Sequence, residues 1–445
     1  MRRPFVRIAN REVSRITVVG FGRTGHATTE FFLSRGVRTF VSDSAVLSDS
    51  DRAFLARRGI PYEEGRHTEA GLADAELIVL SPGVNPTLPL LAKAKERGIP
   101  ILSELDLAYQ VSPMVPIIAV TGTNGKSTTV KLIEALLLQN GIKTVAAGNI
   151  GIPFISVVDR ATACNAIILE VSSFQLEQSR VFHPQVAVLL NLTPDHLDRH
   201  KTMVAYTTAK GRLFLHQTYE DTAILPSDLA ETFPKIQARR VLFDRLDLSS
   251  LPFIVDLPPH HRANLQAAIA ACSALVANFD PSHTRLEDLQ KALFLPFRLC
   301  REGEINGVRI VNDSKSTNAA STLAALRSFN EPLVLILGGR HKQAGYVQLG
   351  QAIAACAARK TILYGEAAAF LQETLKAAGY TRVAVFLDLQ SAFEAALAVA
   401  QSGDVLLFSP ACSSYDQYQD YLRRGEAFSR LVRAHPSFSP PQQER

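Results

Sequence analysis

A loop rich in glycine and hydroxyl residues is the part of this sequence whose residue types most directly suggest chemistry. It reads TGTNGKST over residues 121–128, between a short β-branched run, VPIIAV, and a segment with helical apolar spacing that ends near Gly141. Glycines let backbone N–H groups approach phosphate oxygens, and a helix N-terminus attracts anions. Nucleotide binding is therefore predicted for Gly122, Thr123, Asn124, Gly125, Lys126, Ser127 and Thr128.

Two residues of this loop have specific expected roles. Lys126 would reach the β- and γ-phosphates, and the Ser127 hydroxyl would bind Mg²⁺. The spacing is a shortened form of the usual phosphate loop, because Val120 stands where the first glycine is expected. An ordinary glycine-rich turn between a strand and a helix is the alternative interpretation.

Further polar residues follow apolar strands in the same part of the chain. Glu170 ends the run AIILE, where a carboxylate would bind Mg²⁺, since this strand would otherwise bury an unpaired charge. His196 lies in NLTPDHLDRH at the next strand exit, where a metal or phosphate role and a structural role both remain open. Lys210, on the helical stretch that follows, is by its own context a solvated lysine.

Three polar loops follow strands in the last third of the chain. They read VNDSKSTN, LGGRHKQAG and SPACSSYDQYQDYLRRGEAF, and contain Asp313, Lys315, Lys342 and Ser414. All three leave carboxyl ends of predicted parallel strands, which is the edge where α/β sheets bind ligands. Their shared position predicts a second binding site.

The N-terminal segment contains a glycine turn of the dinucleotide-binding type. Gly20, Gly22 and Gly25 match G-x-G-x-x-G after the strand ITVVG, and Asp43 ends the next strand, VRTFVSD. A glycine turn of this kind places a diphosphate at a helix N-terminus, with an acidic residue on the ribose. Taken alone, this pattern indicates NAD.

The order of strands and helices predicts an α/β protein with three units. Strands alternate with helical stretches throughout, as in doubly wound parallel sheets. We predict domains at residues 1–104, 105–297 and 298–445. We expect the Pro-rich tail after about residue 435 to be loose.

Composition narrows the class of protein. The 445 residues are 47% hydrophobic and carry a net charge of +5 with no long basic run, which does not indicate nucleic acid. The five cysteines are scattered without a C-x-x-C pair, which is typical of reduced thiols in the cytoplasm. No signal peptide is evident, and no apolar run approaches the roughly 18 residues of a membrane span. We expect a cytoplasmic enzyme or binding protein, and a monomer.

Six motifs in order resemble those of the ATP-dependent Mur ligases. They are TGTNGKST, GNIG, LEVSSFQLE, NLTPDHLDRH, NDSKSTN and SPACSSYDQY, and the resemblance covers nearly the whole chain. It is strongest to the members that add D-glutamate to UDP-N-acetylmuramoyl-L-alanine in peptidoglycan precursor synthesis. It implies a Rossmann-like N-terminal domain, a central P-loop ATPase-like domain with a mostly parallel sheet, and a Rossmann-like C-terminal domain. It also implies that ATP activates a carboxylate as an acyl phosphate, which the D-glutamate amine then attacks.

The resemblance also implies roles for individual residues. Ser127 and Glu170 would hold one Mg²⁺, while His196 and Lys210 would hold a second. Lys210 matches a position that is carbamylated in the family, which would convert a cation into a carboxylate-like ligand. Lys126, His196, Lys210 and Lys315 would be the catalytic residues.

Substrate contacts follow from the same resemblance. The adenine nucleotide would be contacted by Asn264, Arg298 and Asp313. The glycine turn would bind the uridine diphosphate instead of NAD, with contacts from Gly22, Arg23, Thr24, Gly25, Asp43, Ser81 and Asn149. Around the D-glutamate carboxylates and the acyl phosphate would lie Lys315, Thr317, Lys342, Ser414 and Tyr421.

Two positions depart from the family pattern, and two alternative functions stay open. His261 stands where asparagine is expected, and Phe297 precedes Arg298 where histidine is usual, so the fine contacts to adenine are in question. One alternative is a sibling ligase, or a folylpolyglutamate synthase-like ligase, that takes another amino acid. The other is an NAD-dependent oxidoreductase built on GFGRTG, which would leave residues 119–129 unexplained.

Overall fold

The chain divides into two compact units. The computed structural model describes residues 4–8, 10–248, 251, 257–284, 286–293, 296–341, 345–356 and 358–441. The first unit comprises Met1–Leu192 and Thr207–Leu293, and the second comprises Thr193–Tyr206 and Phe294–Arg445. The chain passes from one unit to the other within helix α9 (Met203–Gly211), after helix α8 (Leu197–His200). The division into three domains, with boundaries after residues 104 and 297, remains a prediction.

The first unit begins with a small antiparallel hairpin and a five-stranded parallel sheet in the order β5-β4-β3-β6-β7. The strands are β1 (Val6–Ile8), β2 (Arg11–Val13), β3 (Arg15–Val19), β4 (Arg38–Ser42), β5 (Tyr62–Glu63), β6 (Leu77–Leu80) and β7 (Ile101–Ser103). The helices are α1 (Arg23–Leu33), α2 (Asp49–Arg57), α3 (Pro89–Glu96) and α4 (Glu104–Val111). All four residues of β6 are buried, as expected for a parallel strand covered on both faces. The two strands predicted in this segment, ITVVG and VRTFVSD, are confirmed as β3 and β4.

The first unit also contains a six-stranded parallel sheet in the order β13-β12-β11-β8-β10-β9. Its strands are β8 (Ile117–Thr121), β9 (Thr144–Gly148), β10 (Ala166–Glu170), β11 (Val186–Leu189), β12 (Thr222–Leu225) and β13 (Arg239–Leu242). Its helices are α5 (Lys126–Gln139), α6 (Val158–Ala161), α7 (Ser173–Gln178), α10 (Pro259–Leu275) and α11 (Leu286–Leu293). The predicted apolar face of α5 is confirmed, because Val130, Ile133, Leu136 and Leu137 are all fully buried. The helix ends before Gly141, whose positive φ of 75° suits a glycine past a helix terminus.

The second unit is built on a seven-stranded mixed sheet in the order β18-β17-β16-β19-β15-β14-β20. Its strands are β14 (Cys300–Ile305), β15 (Val308–Asn312), β16 (Leu333–Gly338), β17 (Ala358–Tyr364), β18 (Val383–Phe386), β19 (Val405–Ala411) and β20 (Phe438–Ser439). Its longer helices are α12 (Ala319–Leu326), α13 (Tyr346–Ala355), α14 (Ala368–Ala377), α15 (Leu389–Val399) and α16 (Tyr421–Ala434). The expectation of a loose tail after residue 435 is wrong for β20, which pairs antiparallel with β14. Phe438 packs against a buried core cluster, and this contact anchors the strand.

Each large sheet reverses its strand order at one point. In the three sheets, β3 lies between β4 and β6, β8 lies between β10 and β11, and β19 lies between β15 and β16. A crevice opens beyond the carboxyl ends of the strands at such a reversal, and ligands bind there in α/β proteins. The polar loops predicted from the sequence follow these strands. Within the part of the chain that the structure describes, no helix has the length and apolar character needed to cross a membrane.

A buried carboxyl group lies at the start of α4. Glu104 is 1% exposed, and its Oε1 accepts a hydrogen bond from the backbone N–H of Ile155 at 2.8 Å. Its Oε2 has no hydrogen-bond partner among the described residues. Burial raises the pKa of Glu104 to about 7, against the opposing effect of backbone hydrogen bonds from Ile155 and Phe154.

This group predicts a pH dependence of stability. The folded-state pKa is raised, so the folded chain holds the proton between about pH 4.5 and pH 7 while the unfolded chain releases it. The free energy of unfolding is therefore expected to fall by about 2–3 kcal/mol as the pH rises through this range. Glu104→Gln should remove this pH-dependent loss. The free energy of unfolding of the wild type and of Glu104→Gln, measured at pH 5 and at pH 8, tests this prediction. Glu96→Gln, at an exposed position, is the control, and an equal pH dependence in wild type and Glu104→Gln would contradict the prediction.

Candidate active site

The predicted phosphate loop connects β8 to α5. Gly122 and Gly125 have positive φ angles of 153° and 89°, which favour glycine. A Cβ atom at Gly125 would lie 2.3 Å from Oδ1 of Asn264, so this position has no room for a side chain. The structure therefore brings Asn264, predicted to contact the adenine nucleotide, against the loop.

An amide side chain that the sequence analysis did not identify supports the same loop. Asn191 accepts a hydrogen bond from the backbone N–H of Asn124 on Oδ1 at 2.9 Å and donates from Nδ2 to the Asn124 carbonyl at 3.0 Å. Its own carbonyl accepts the N–H of Thr123 at 3.1 Å. Asn191 follows β11, the neighbour of β8. Its position after a strand is the sequence feature that could have identified it.

Lys126 and Ser127 are the first two residues of α5. The Lys126 amine donates to the carbonyl oxygens of Gly122 and Thr123 at 2.8 and 2.9 Å, so its charge lies within the loop. The Ser127 hydroxyl donates to Oε2 of Glu170 at 2.6 Å. Glu170 ends β10 in register with Val120 of β8, and this strand pairing aligns the carboxylate with the loop.

The Ser127 and Glu170 pair is suited to Mg²⁺. Both groups are hard oxygen donors, and Glu170 is only 3% exposed. Mg²⁺ in nucleotide sites is usually held by one or two carboxylates together with phosphate oxygens and water. Across the described residues, no set of three or more His, Cys, Asp and Glu side chains is arranged as a metal site.

Asn149 lies at the same carboxylate. Its Nδ2 donates to Oε1 of Glu170 at 2.9 Å, although the resemblance assigned Asn149 to the UDP substrate. Gly151 follows in the same loop, and a Cβ there would lie 3.7 Å from Nη1 of Arg23. The loop therefore extends from the Glu170 carboxylate towards the N-terminal glycine turn.

Lys210 is almost fully buried beside the phosphate loop. It is 1% exposed, and its amine donates to the Gly122 carbonyl at 2.9 Å and to the Thr121 hydroxyl at 3.2 Å. The interpretation as a solvated lysine, made from its local context, is wrong, because the tertiary fold packs α9 against the loop. These contacts are compatible with the role near the phosphates that the resemblance implies for Lys210.

His196 belongs to the second unit and has a left-handed backbone with φ of 54°. Its Nε2 lies 3.7 Å from Oδ2 of Asp195, and its side chain is 31% exposed. The same Asp195 oxygen accepts a hydrogen bond from Nδ2 of Asn318 at 3.1 Å. Asp195 thus connects the His196 segment to the loop that follows β15.

Asp313 follows β15 and is hydrogen-bonded on both oxygens. It is 2% exposed, and it accepts hydrogen bonds from Ser316, Ser409 and the Leu299 backbone at 2.5, 2.7 and 3.2 Å. Burial raises the pKa of the Asp313 carboxyl, while these hydrogen bonds and the charge of Arg298 oppose the rise. Arg298 is therefore close enough to act on the Asp313 carboxyl, and the contact of both residues with the adenine nucleotide stays a prediction.

The predicted amino-acid site also lies in the second unit. The Lys315 amine donates to the Tyr421 hydroxyl at 3.0 Å and lies 4.6 Å from the centroid of its ring. Ser414 is 2% exposed, and its carbonyl accepts the backbone N–H of Tyr418. Thr317 is half-buried in the Lys315 loop, and Lys342 lies outside the described residues.

The N-terminal glycine turn has the expected strand–turn–helix geometry. Gly20 has φ of 88° and follows β3, while α1 begins at Arg23 with Thr24 and Gly25 in its first turn. A Cβ at Gly25 would lie 2.0 Å from the Gly20 carbonyl oxygen, so only glycine allows this close packing.

Two predicted UDP-substrate residues contact this turn. The Ser81 hydroxyl donates to the Gly20 carbonyl at 2.7 Å. The Asp43 carboxylate accepts the backbone N–H of Phe21 at 2.5 Å. The turn, Ser81 and Asp43 thus meet at the carboxyl edge of this sheet.

Three family models match successive parts of the chain. They are the Mur ligase MurD-like N-terminal domain at residues 14–103, the Mur ligase middle domain at residues 120–243 and the Mur ligase glutamate ligase domain at residues 297–412. The chain is also similar to solved structures from Thermotoga maritima. The UDP-N-acetylmuramate-alanine ligase MurC matches with a TM-score of 0.57 and 17% identity over 94% of this chain and 99% of that one. The MurF ligase in complex with ADP matches with a TM-score of 0.57 and 17% identity over 97% of this chain and 99% of that one.

Curated relatives are considerably more similar in sequence. A protein of Pelotomaculum thermopropionicum named UDP-N-acetylmuramoylalanine--D-glutamate ligase is 34% identical, with 94% of this chain and 97% of the relative covered. A protein of Pelobacter propionicus with the same name is 36% identical, with 94% and 98% covered. The chain therefore belongs to the Mur ligase family, alongside relatives named UDP-N-acetylmuramoylalanine--D-glutamate ligase.

Proposed function

We propose that this protein is an ATP-dependent ligase that joins D-glutamate to UDP-N-acetylmuramoyl-L-alanine in peptidoglycan precursor synthesis. The observation that carries the proposal is the glycine loop of residues 122–125, with Lys126 over its carbonyls and Ser127 hydrogen-bonded to Glu170. The names of the full-length relatives support the choice of substrates. None of the five cysteines, all of which lie among the described residues, forms a disulfide, which suits an enzyme of the reducing cytoplasm.

The first step is activation of the acceptor carboxylate. A carboxylate oxygen attacks the γ-phosphorus of ATP, the bond to the bridging oxygen breaks, and ADP leaves with an acyl phosphate formed. Such a transfer depends on positioning and on neutralising phosphate charge more than on a protein nucleophile. Lys126 and the loop N–H groups provide positive charge, and Ser127 and Glu170 would hold a Mg²⁺ that neutralises phosphate oxygens.

The second step is attack by the amine of D-glutamate on the acyl carbon. The tetrahedral intermediate collapses with loss of inorganic phosphate, and the nitrogen releases a proton as the amide forms. D-Glutamate carries two carboxylates at neutral pH. We propose that Lys315, Lys342, Thr317, Ser414 and Tyr421 surround it, and the Lys315–Tyr421 hydrogen bond of 3.0 Å supports this grouping.

The N-terminal turn would bind the uridine diphosphate of the acceptor. The start of α1 offers backbone N–H groups and the positive end of a helix dipole, which suit a diphosphate. We further propose that Lys210 is carbamylated and holds a second Mg²⁺ with His196. Burial of Lys210 supports a role at the phosphates, because its amine is held against Thr121 and Gly122 of the phosphate loop.

The test is substrate-dependent release of phosphate. Purified protein with ATP, Mg²⁺, UDP-N-acetylmuramoyl-L-alanine and D-glutamate is expected to release phosphate and form one amide product, detected by mass. Omitting D-glutamate or replacing it with L-alanine, L-glutamate or a diamino acid should leave little release. Equal phosphate release with and without D-glutamate would overturn the assignment. Greater phosphate release with another amino acid would indicate a sibling ligase.

A further inference from the structure

Arg424 is a fully buried arginine in the first turn of α16. It is 0% exposed and has the largest side chain among the fully buried residues described. Its Nε donates to the Ser314 hydroxyl at 3.1 Å, its Nη2 to the Ser314 carbonyl at 2.8 Å and its Nη1 to the Cys412 carbonyl at 2.9 Å. Among the described residues, no carboxylate forms an ion pair with it.

A guanidinium in this environment is costly to bury. An ion removed from water needs hydrogen bonds or a counter-charge, and within the described part of the chain neutral carbonyl and hydroxyl oxygens accept the hydrogen bonds of this guanidinium. A methionine of similar length would fill the space without this cost. The buried arginine is therefore better explained by the groups that accept its hydrogen bonds than by packing alone.

The groups that Arg424 holds belong to the predicted amino-acid site. Ser314 precedes Lys315 in the loop after β15, and Cys412 lies two residues before Ser414 in the loop after β19. These strands are neighbours and run parallel, so both loops leave the same edge of the sheet. Two loops that carry predicted D-glutamate residues are thus joined through one side chain.

Further contacts extend this arrangement to α16 and to the loop after β16. The Ser314 hydroxyl donates to the backbone carbonyl of Tyr421 at 2.9 Å, at the start of the helix that carries Arg424. A Cβ at Gly339 would lie 3.1 Å from Nη1 of Arg424 and 2.2 Å from the Ser413 carbonyl oxygen. Glycine at this position therefore lets the third loop approach the guanidinium.

We propose that Arg424 is a positioning residue for the amino-acid substrate. Its three hydrogen bonds set the spacing between the Lys315 and Ser414 loops, and its uncompensated charge favours a dicarboxylate over a neutral amino acid at this edge of the sheet. The proposal rests on the proposed function, since it assigns the second-unit site to D-glutamate.

Steady-state kinetics of two variants test the proposal. Arg424→Lys keeps the charge but cannot reproduce the forked set of hydrogen bonds. Ser314→Ala removes one acceptor and the contact to Tyr421, and it disturbs the buried interior less. Both are expected to raise the KM for D-glutamate, Arg424→Lys by about tenfold or more, while the KM for ATP stays within about twofold.

Two control variants separate positioning from simple loss of stability. Arg423→Ala changes the exposed neighbour, which pairs with Glu426 on the surface. Val432→Ala removes buried volume from the same helix in a core cluster away from the loops, so it should lower the unfolding midpoint without changing the KM for D-glutamate.

The outcomes are distinct. A KM for D-glutamate within twofold of wild type in Arg424→Lys, or an equal rise in the KM for ATP, would overturn the positioning role. If Arg424→Lys does not fold, the same two KM criteria are applied to Ser314→Ala. Wild-type protein that releases no phosphate in response to D-glutamate would count against the proposed function itself, independently of Arg424.

Discussion

Lys126→Ala is expected to reduce D-glutamate-dependent phosphate release by at least about a hundred- to a thousand-fold while leaving the protein folded. The Lys126 amine lies within the phosphate loop and donates hydrogen bonds to the carbonyl oxygens of Gly122 and Thr123. A cation at this position stabilises charge on the transferred phosphoryl group, and its loss is not replaced by water. Turnover at saturating ATP and circular dichroism of the same samples measure the two parts of this prediction.

Lys131→Ala is the matched control for this variant. Lys131 lies on the same helix, with its side chain 41% exposed and paired with Glu134. It should retain wild-type turnover. If Lys126→Ala lost its circular dichroism signal, or if it kept turnover within tenfold of wild type, the catalytic role of Lys126 would be rejected.

Lys210→Ala is expected to be nearly inactive and to recover part of its activity when short carboxylic acids such as acetate or formate are added. A carbamylated lysine ends in a carboxylate-like group, so a free acid can occupy the space that the truncated side chain leaves. The cavity is expected to form because Lys210 is 1% exposed and packed against Thr121 and Gly122. Phosphate release at increasing acid concentration measures the rescue.

The result has two controls. Lys143→Ala, at an exposed position directly before β9, the edge strand of the six-stranded sheet, should keep its activity and show no response to the acids. The mass of the native wild-type protein should be higher than the sequence mass by one CO₂ if the modification is retained. The absence of rescue at every concentration would argue that Lys210 acts through its hydrogen bonds to the loop alone.

Features that depend on neighbours in the chain were predictable from the sequence. The strand–loop–helix at residues 117–139 is specified by a β-branched run, glycines at positive φ and helical apolar spacing, all within one short segment. The glycine turn before α1 has the same local origin. The carboxyl ends of parallel strands then place Glu170 and Asp313 at the sheet edges, as expected.

Other features arise from contacts between residues that are far apart in sequence. Asn191 holds the phosphate loop from 67 residues away, and Lys210 reaches it from 88 residues away. The hydrogen bond from Arg424 to Ser314 spans 110 residues. Lys210 and Arg424 have no local pattern that distinguishes them from ordinary surface residues, and Asn191 has only its position after an apolar strand.

The sequence by itself determined the fold class, the family and the two glycine loops, because turn chemistry and apolar periodicity are encoded over a few residues. Only the tertiary structure decided which polar groups are buried and what they contact. Burial of Lys210, Glu104 and Arg424 depends on how distant segments pack, and packing sets the cost of each charge and the choice of its hydrogen-bond partners.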